Sequence, residues 1–459
     1  MKKTILATSI LLIATASGVL AAQTFTVLHH FAGGTGDGAT PWCGNILVQG
    51  TNLFGMTRFG GAASSGVIFE FHSDGTGYTN LHEFSNVDED GNDPRNSLTA
   101  SGATLYGTTQ AGGKYGGGTV FSISADGSGY SQLHSFSGPD GDSPHGDVLP
   151  YDGQLLGLTR WGGTNGLGVV FSLSTLTGDC TVLHSFTGNA DDGSWPHFGI
   201  TRDGSTLYGQ TYMGGTNGDG TVWRMNVDGS GYANLHSFSG PDGIGPHGYV
   251  RLIGNILYGL APFGGTNGCG VAYRLNTDGS DFAVLHHFGD GPTDGIGPYD
   301  QFEIVNGTLY GTTSAGGTNG IGTIFRINPD GSGYSVLHSF DGVNGAQPLG
   351  SLALGPDRLF YGMTQWGGTN GLGVVFSFSL PAVPPVLAIS YSNGLPRLSL
   401  AGEVGRQYAL EFITELAASN NWQSVMSLTN VLLTSSPQYF LDTDCSNIPQ
   451  RFYRAVLLP

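Results

Sequence analysis

A Leu-His pair recurs along this chain with its histidine at 29, 82, 134, 184, 236, 286 and 338, at intervals of 50 to 53 residues. A Gly pair recurs in step with it, beginning at 60, 112, 162, 214, 264, 316 and 367. Leu-Tyr-Gly or a close variant precedes each Gly pair, as in Thr104–Thr109, and an apolar pair such as Val120-Phe121 or Ile324-Phe325 follows it. Seven copies at one spacing mean one supersecondary unit that buries its apolar face only by stacking on its neighbours. The apolar runs are four to seven residues long, β-branched or aromatic, and bracketed by Gly, Asn and Asp, which predicts short strands. Four can be read in each unit. Strand a follows a proline, b carries Leu-Tyr-Gly, c carries the Val-Phe pair and d ends in Leu-His-x-Phe. The c–d connection is Asp-Gly-Ser-Gly-Tyr or similar, whose Asp-Gly supplies the positive φ of a tight hairpin. The third unit departs from this, with Leu-Thr-Gly-Asp-Cys at 176–180.

The order of the strands is offset. The repeat region opens on a d strand, residues 24–31, and its last unit ends at 373–380 without one. A closed ring resolves the offset: the first strand completes the last unit and no raw sheet edge is left. The expectation is an all-β fold, a seven-bladed β-propeller over residues 23–380 with the N-terminal strand closing the last blade. A linear solenoid would need capping repeats, and none is evident. Pro-Ala-Val-Pro-Pro at 381–385 reads as a stiff linker. Residues 386–459 lack the repeat and alternate apolar with polar residues at 406–412 and 451–458, which predicts a small C-terminal β-sandwich.

Lys2 and Lys3 precede an apolar run from Ile5 to Leu20 that thins into Ala21-Ala22, the pattern of a secretory signal peptide over residues 1–22. The run is too short to span a bilayer, and no later segment is long and apolar enough. The expected location is therefore secreted, periplasmic or at the cell surface, as a monomer. A net charge of −18, with Lys114 the one lysine beyond the leader, argues against nucleic acid as a partner. Much of that acidity lies in Asp-Gly turns. Cys43, Cys180, Cys269 and Cys445 follow no metal-ligand spacing and dictate no disulfide pairing.

The Gly pair, the period and the four strands resemble kelch propellers. The combination of Leu-Tyr-Gly-Thr-Thr, Gly-Gly, Gly-Thr-Val-Phe, Asp-Gly-Ser-Gly-Tyr and Leu-His-Ser-Phe resembles more closely the GloVer-type tandem repeat of bacterial exported proteins, over about residues 24 to 380. The resemblance implies a propeller of unestablished activity. It also implies a C-terminal sorting anchor, for which residues 386–459 offer no apolar tail.

In a propeller the d–a and b–c connections share one face. Here they are the longer and more variable ones, so that face is the expected site. Every d–a loop carries a proline, at 41, 94, 144, 196, 246, 298 and 348. The residue after it varies: Trp42, Arg95, His145, His197, His247, Tyr299 and Leu349. The residue before the Gly pair varies too and includes Phe59, Trp161, Phe263 and Trp366, with Arg58 and Arg160 preceding two of them. Aromatic faces pack on sugar rings, and Arg and His bind hydroxyls or carboxylates. These residues predict recognition of a polysaccharide or an extracellular glycoprotein. The alternative is that they pack between units and fill the channel mouth.

His145, His197 and His247 share a register in three adjacent units, but no Cys or Glu joins them, and neither a metal nor another cofactor is expected. The Gly-Gly-Thr-Asn-Gly loops open no helix and precede no lysine, so they are not phosphate loops. Asp147, Asp300 and Glu303 break the symmetry of the inner strands as two catalytic acids would. Asp147 lies on a repeat not adjacent to that of the other two, and no local motif ties the three together. A carbohydrate-active hydrolase or lyase is thus the second expectation, and a structural component of an extracellular assembly the third.

Overall fold

The computed structural model describes residues 23–85, 87–380, 386–392, 395–402, 407–413, 423–424, 431–433, 436–441 and 452–457. The expected signal peptide, the 381–385 linker and Cys445 lie outside them. The described residues are all-β and contain no helix, hence none long and apolar enough to cross a membrane. The chain divides into two compact units, residues 24–379 and one that includes residues 380–459.

In the first unit each repeat forms an antiparallel sheet in the order a-b-c-d. One example is Arg251–Ile253, Ile256–Ala261, Val271–Asn276 and Ala283–His287. The last sheet takes its d strand from the start of the chain. Phe25–His30 pairs with Val374–Ser379, with Thr26 opposite Ser377 and His30 opposite Val374. Strands b and c carry the core, and the Val-Phe pair of c packs against both neighbouring sheets. Phe69, Phe121, Phe171, Trp223, Tyr273, Phe325 and Phe376 are fully buried. The Gly pair is required by conformation: Gly112 and Gly113 take φ of 83° and 73°, a region costly for other residues.

Each c–d pair carries a β-bulge at the Leu of Leu-His, for example between Val120 and Phe121 opposite Gln132 and His134. The extra residue re-aims the histidine. That histidine then does the same two things in repeat after repeat. Its Nε2 meets the d–a loop aspartate, as in His82 to Asp90 at 3.1 Å and His236 to Asp242 at 3.1 Å. Its ring stacks on an aromatic side chain four residues ahead of the next histidine: His29 on Tyr78, His82 on Tyr130, His184 on Tyr232, His236 on Phe282 and His286 on Tyr334, with centroids 3.7 to 4.1 Å apart. His338 in the last repeat stacks at 4.1 Å on Phe25, from the first strand. The N-terminal strand therefore supplies both the pairing and the ring that an internal d strand supplies elsewhere. Buried Asp90 and Asp294 sit at about 2, because the imidazole and loop donors outweigh the cost of burial.

The d–a loops hold more structure than their sequence indicates. Each pairs back onto the end of strand b, as Asp142–Pro144 does with Gln154–Trp161, or through a single bridge such as Ala346 to Trp366. Such ladders are two to four residues long, too short to show alternation. In the second unit, Val386–Ser392, Leu395–Ala401 and Gln438–Leu441 form one sheet, and Gln407–Ile413 pairs with Phe452–Leu457 in another. Leu398 and Leu400 of the first sheet share a core with Tyr408 and Leu410 of the second.

Candidate functional site

The residue before each d–a proline has a left-handed backbone in all seven repeats: Thr40, Asp93, Ser143, Trp195, Gly245, Gly297 and Gln347, with φ between 47° and 64°. The post-proline residues that follow converge. Trp42, Arg95, His145, His197, His247, Tyr299 and Leu349 line one cavity of about 310 Å³, together with Arg160. Beneath it the inner segments of neighbouring repeats touch. A Cβ on Gly350 of the last repeat would lie 2.4 Å from the Gly44 carbonyl of the first. Ser351 N donates to Asn45 Oδ1 across the same seam at 2.6 Å. Buried Cys43, Phe198 and Leu349 pack together there.

His197 and His247 form a relay whose tautomers follow from its end, and the His145 ring packs beside His197 with centroids 4.6 Å apart. His247 Nδ1 lies 3.0 Å from the Tyr299 carbonyl oxygen, which can only accept, so Nδ1 carries the proton. A neutral His247 then accepts at Nε2 from His197 Nδ1–H, 2.9 Å away. His197 is left with a bare acceptor at Nε2, buried and without a protein donor, and His145 Nδ1 is likewise buried without a partner. Burial pushes all three imidazoles below the usual histidine range, His247 to about 3, and the Arg160 cation adds to the effect. Neutrality is therefore consistent with the relay. Both ring nitrogens of His247 are engaged, so the three rings do not present three free metal ligands.

Cations ring this neutral centre. Arg95 grips Asp93 through two bonds of 2.9 and 2.7 Å, and Arg58 Nε donates to the same carboxylate at 3.0 Å. Both guanidiniums lie over Trp42, at 5.2 and 5.3 Å from its ring. Arg160 lies over Trp161 and Trp195, at 5.2 and 5.8 Å. Its Nε is buried without a partner, and it has no ion pair among the described residues. Burial and Arg95 lower its pKa. Arg95 and Arg160 line the cavity and Asp93 pairs with the first, so 2 − 1 leaves one uncompensated guanidinium, Arg160, at this cavity. That runs against the charge of the whole chain.

The residues singled out from the sequence divide into two sets. All seven post-proline residues and Arg160 meet at the cavity. Arg58 stands behind Trp42. Phe59, Phe263 and Trp366 are outside the cavity lining, 38 to 41% exposed, and Trp161 packs on Trp195 with centroids 4.8 Å apart. Sequence reasoning missed Ser314 and Gln365, which line the cavity, and Tyr212, which stacks on His197 at 5.3 Å. All three occupy the register of Arg58 and Arg160, two before the Gly pair, and that register was the available signal.

Asp147 and Asp300 stand on non-adjacent repeats and still interact electrostatically. Tyr249 O–H donates to Asp147, and the Asp147 charge reaches Asp300. Burial raises Asp147 to about 6, and burial together with Asp147 raises Asp300 further above the carboxylate range. Neither lines the cavity under Trp42. Asp147 accepts from Ser97 N at 2.7 Å and Asp300 from Ser351 N at 2.9 Å, so both brace the inner segments. Glu303 stands 3.6 Å from Arg251.

Two overlapping stretches, residues 17–223 and 199–410, match the family model described as the Gloeobacter/Verrucomicrobia repeat. Comparison with curated protein sequences returned no match. Among solved structures, an oligogalacturonate lyase in complex with manganese is similar at 14% identity, over 80% of this chain and 99% of that one, with a TM-score of 0.50. YCF48 from Cyanidioschyzon merolae is similar at 10% identity, over 77% of this chain and 98% of that one, with a TM-score of 0.48. The lyase is a β-propeller protein, and at its identity the likeness is one of fold.

Proposed function

The chain belongs to the Gloeobacter/Verrucomicrobia repeat family, and from that premise we propose that it is an exported binding protein that holds an acidic polysaccharide or glycoprotein glycan in the cavity under Trp42. In this reading the repeat sheets are the seven blades of a closed ring, residues 386–459 form a C-terminal β-sandwich, and residues 1–22 direct export. The carrying observation is the meeting of the variable registers at one cavity that has an uncompensated guanidinium, Arg160, and a bare imidazole acceptor. A sugar acid answers both: its carboxylate suits Arg160 and a neighbouring hydroxyl can donate to His197 Nε2. The Trp42 face suits the apolar side of a sugar ring.

A glycan array with the purified protein tests this. Retention on uronate- or sialate-bearing glycans is expected, reduced about tenfold or more by Arg160→Met and by Trp42→Ala with His197→Ala. Retention unchanged by these substitutions on every glycan would remove the proposal. The second reading, a hydrolase or lyase, is favoured by the electrostatic coupling of the buried carboxyls of Asp147 and Asp300. Turnover of a labelled acidic polysaccharide, lost in Asp300→Asn, would establish it over binding alone.

A further inference from the structure

The ring-stacking latch is broken at one place. Phe25, Tyr78, Tyr130, Tyr232, Phe282 and Tyr334 each cover a histidine of the neighbouring sheet, whereas Cys180 occupies that register opposite His134. With the large ring replaced by a thiol, His134, Asp140 and Cys180 each offer a ligand atom, and these atoms all lie within 4.8 Å of one another. We propose that His134, Asp140 and Cys180 form a zinc-class metal site, created where this repeat departs from the others and separate from the cavity under Trp42.

The donor set argues for the metal. One imidazole nitrogen, one carboxylate oxygen and one thiolate suit a borderline-soft, tetrahedral ion such as Zn²⁺, with water in the fourth position. All three residues are half-buried, so the ion has access from solvent and the thiol is a free one. His134 Nε2 stands 2.7 Å from Asp140 Oδ2. Ligand bonds of about 2.0 to 2.3 Å would open that contact to roughly 3.3 Å, a side-chain adjustment. Ser137 N and Oγ donate to the other oxygen, Asp140 Oδ1, at 2.9 and 2.8 Å, and would hold the carboxylate in place. Burial and the Asp140 charge push the Cys180 thiol up to about 12, so binding must release its proton to solvent.

Cobalt titration of the metal-free chain tests the site, because Co²⁺ takes zinc geometry and reports thiolate ligation through a charge-transfer band. One equivalent of Co²⁺ should bring up that band, and Zn²⁺ should displace it. Cys180→Tyr restores the ring of the other repeats. It should keep the thermal midpoint, abolish the band and weaken Zn²⁺ binding at least about tenfold. Cys180→Ser should do the same should the tyrosine variant fail to fold. A wild-type titration without the band, or a band that survives both substitutions, overturns the site.

Discussion

Asp300 is buried with Oδ1 lacking any partner, and its carboxyl is held above the usual range by burial and by Asp147. The sign of its effect follows. A carboxyl raised in the folded state binds more protons there than in the unfolded chain, so it loses stability as pH rises, here from about 4 through 6 for Asp147 and onward for Asp300. The buried histidines act oppositely. The unfolded chain takes up their protons below about 6.5, so their contribution is lost as pH falls through that value. Asp300→Asn should therefore raise the thermal midpoint at pH 7.5 more than at pH 4, read by calorimetry at both. An equal change at the two pH values would contradict the assignment. The two acids stood out in the sequence, but their electrostatic coupling did not, because they lie on repeats about 150 residues apart and no local pattern encodes it. The post-proline register was legible, because variation at a fixed place in a repeat stands out.

Among the elements, strand d shows how far a repeat can be read. Its boundaries and the offset first copy follow from spacing alone. The latch it builds does not, because an internal histidine and its stacking ring stand about 50 residues apart, as His29 and Tyr78 do, and each looks like ordinary strand or turn composition. Phe25 also packs on Phe376 and Phe340 at 5.0 and 5.6 Å. Phe25→Ala should therefore cost about as much as Tyr232→Ala, roughly 2–4 kcal/mol each by denaturant unfolding. A Phe25→Ala variant as stable as the wild type would mean that the first strand does not act as an internal one. The left-handed step before each proline is the second element-scale device. Gly occupies it in two repeats, whereas Thr40, Asp93, Ser143, Trp195 and Gln347 retain side chains there despite a backbone cost of about 1 kcal/mol.

For the whole molecule, the meeting of Trp42 with Arg160 and of Gly44 with Gly350 depends on the chain returning to its start. An open array would carry the same side chains on separate edges, and no cavity would join them. Thr26 and Ser377 are opposed in the closing pair, at a Cα separation that in antiparallel sheets is about 4.5 to 5.5 Å and within reach of a disulfide. The most direct test is oxidation of a Thr26→Cys/Ser377→Cys variant, followed by proteolysis and mass spectrometry. Closure predicts near-complete linkage of these two positions and little in a Thr26→Cys/Thr323→Cys control, whose second cysteine lies in the neighbouring sheet. Linkage no greater than in that control would contradict closure, and with it the convergence on which the proposed site rests.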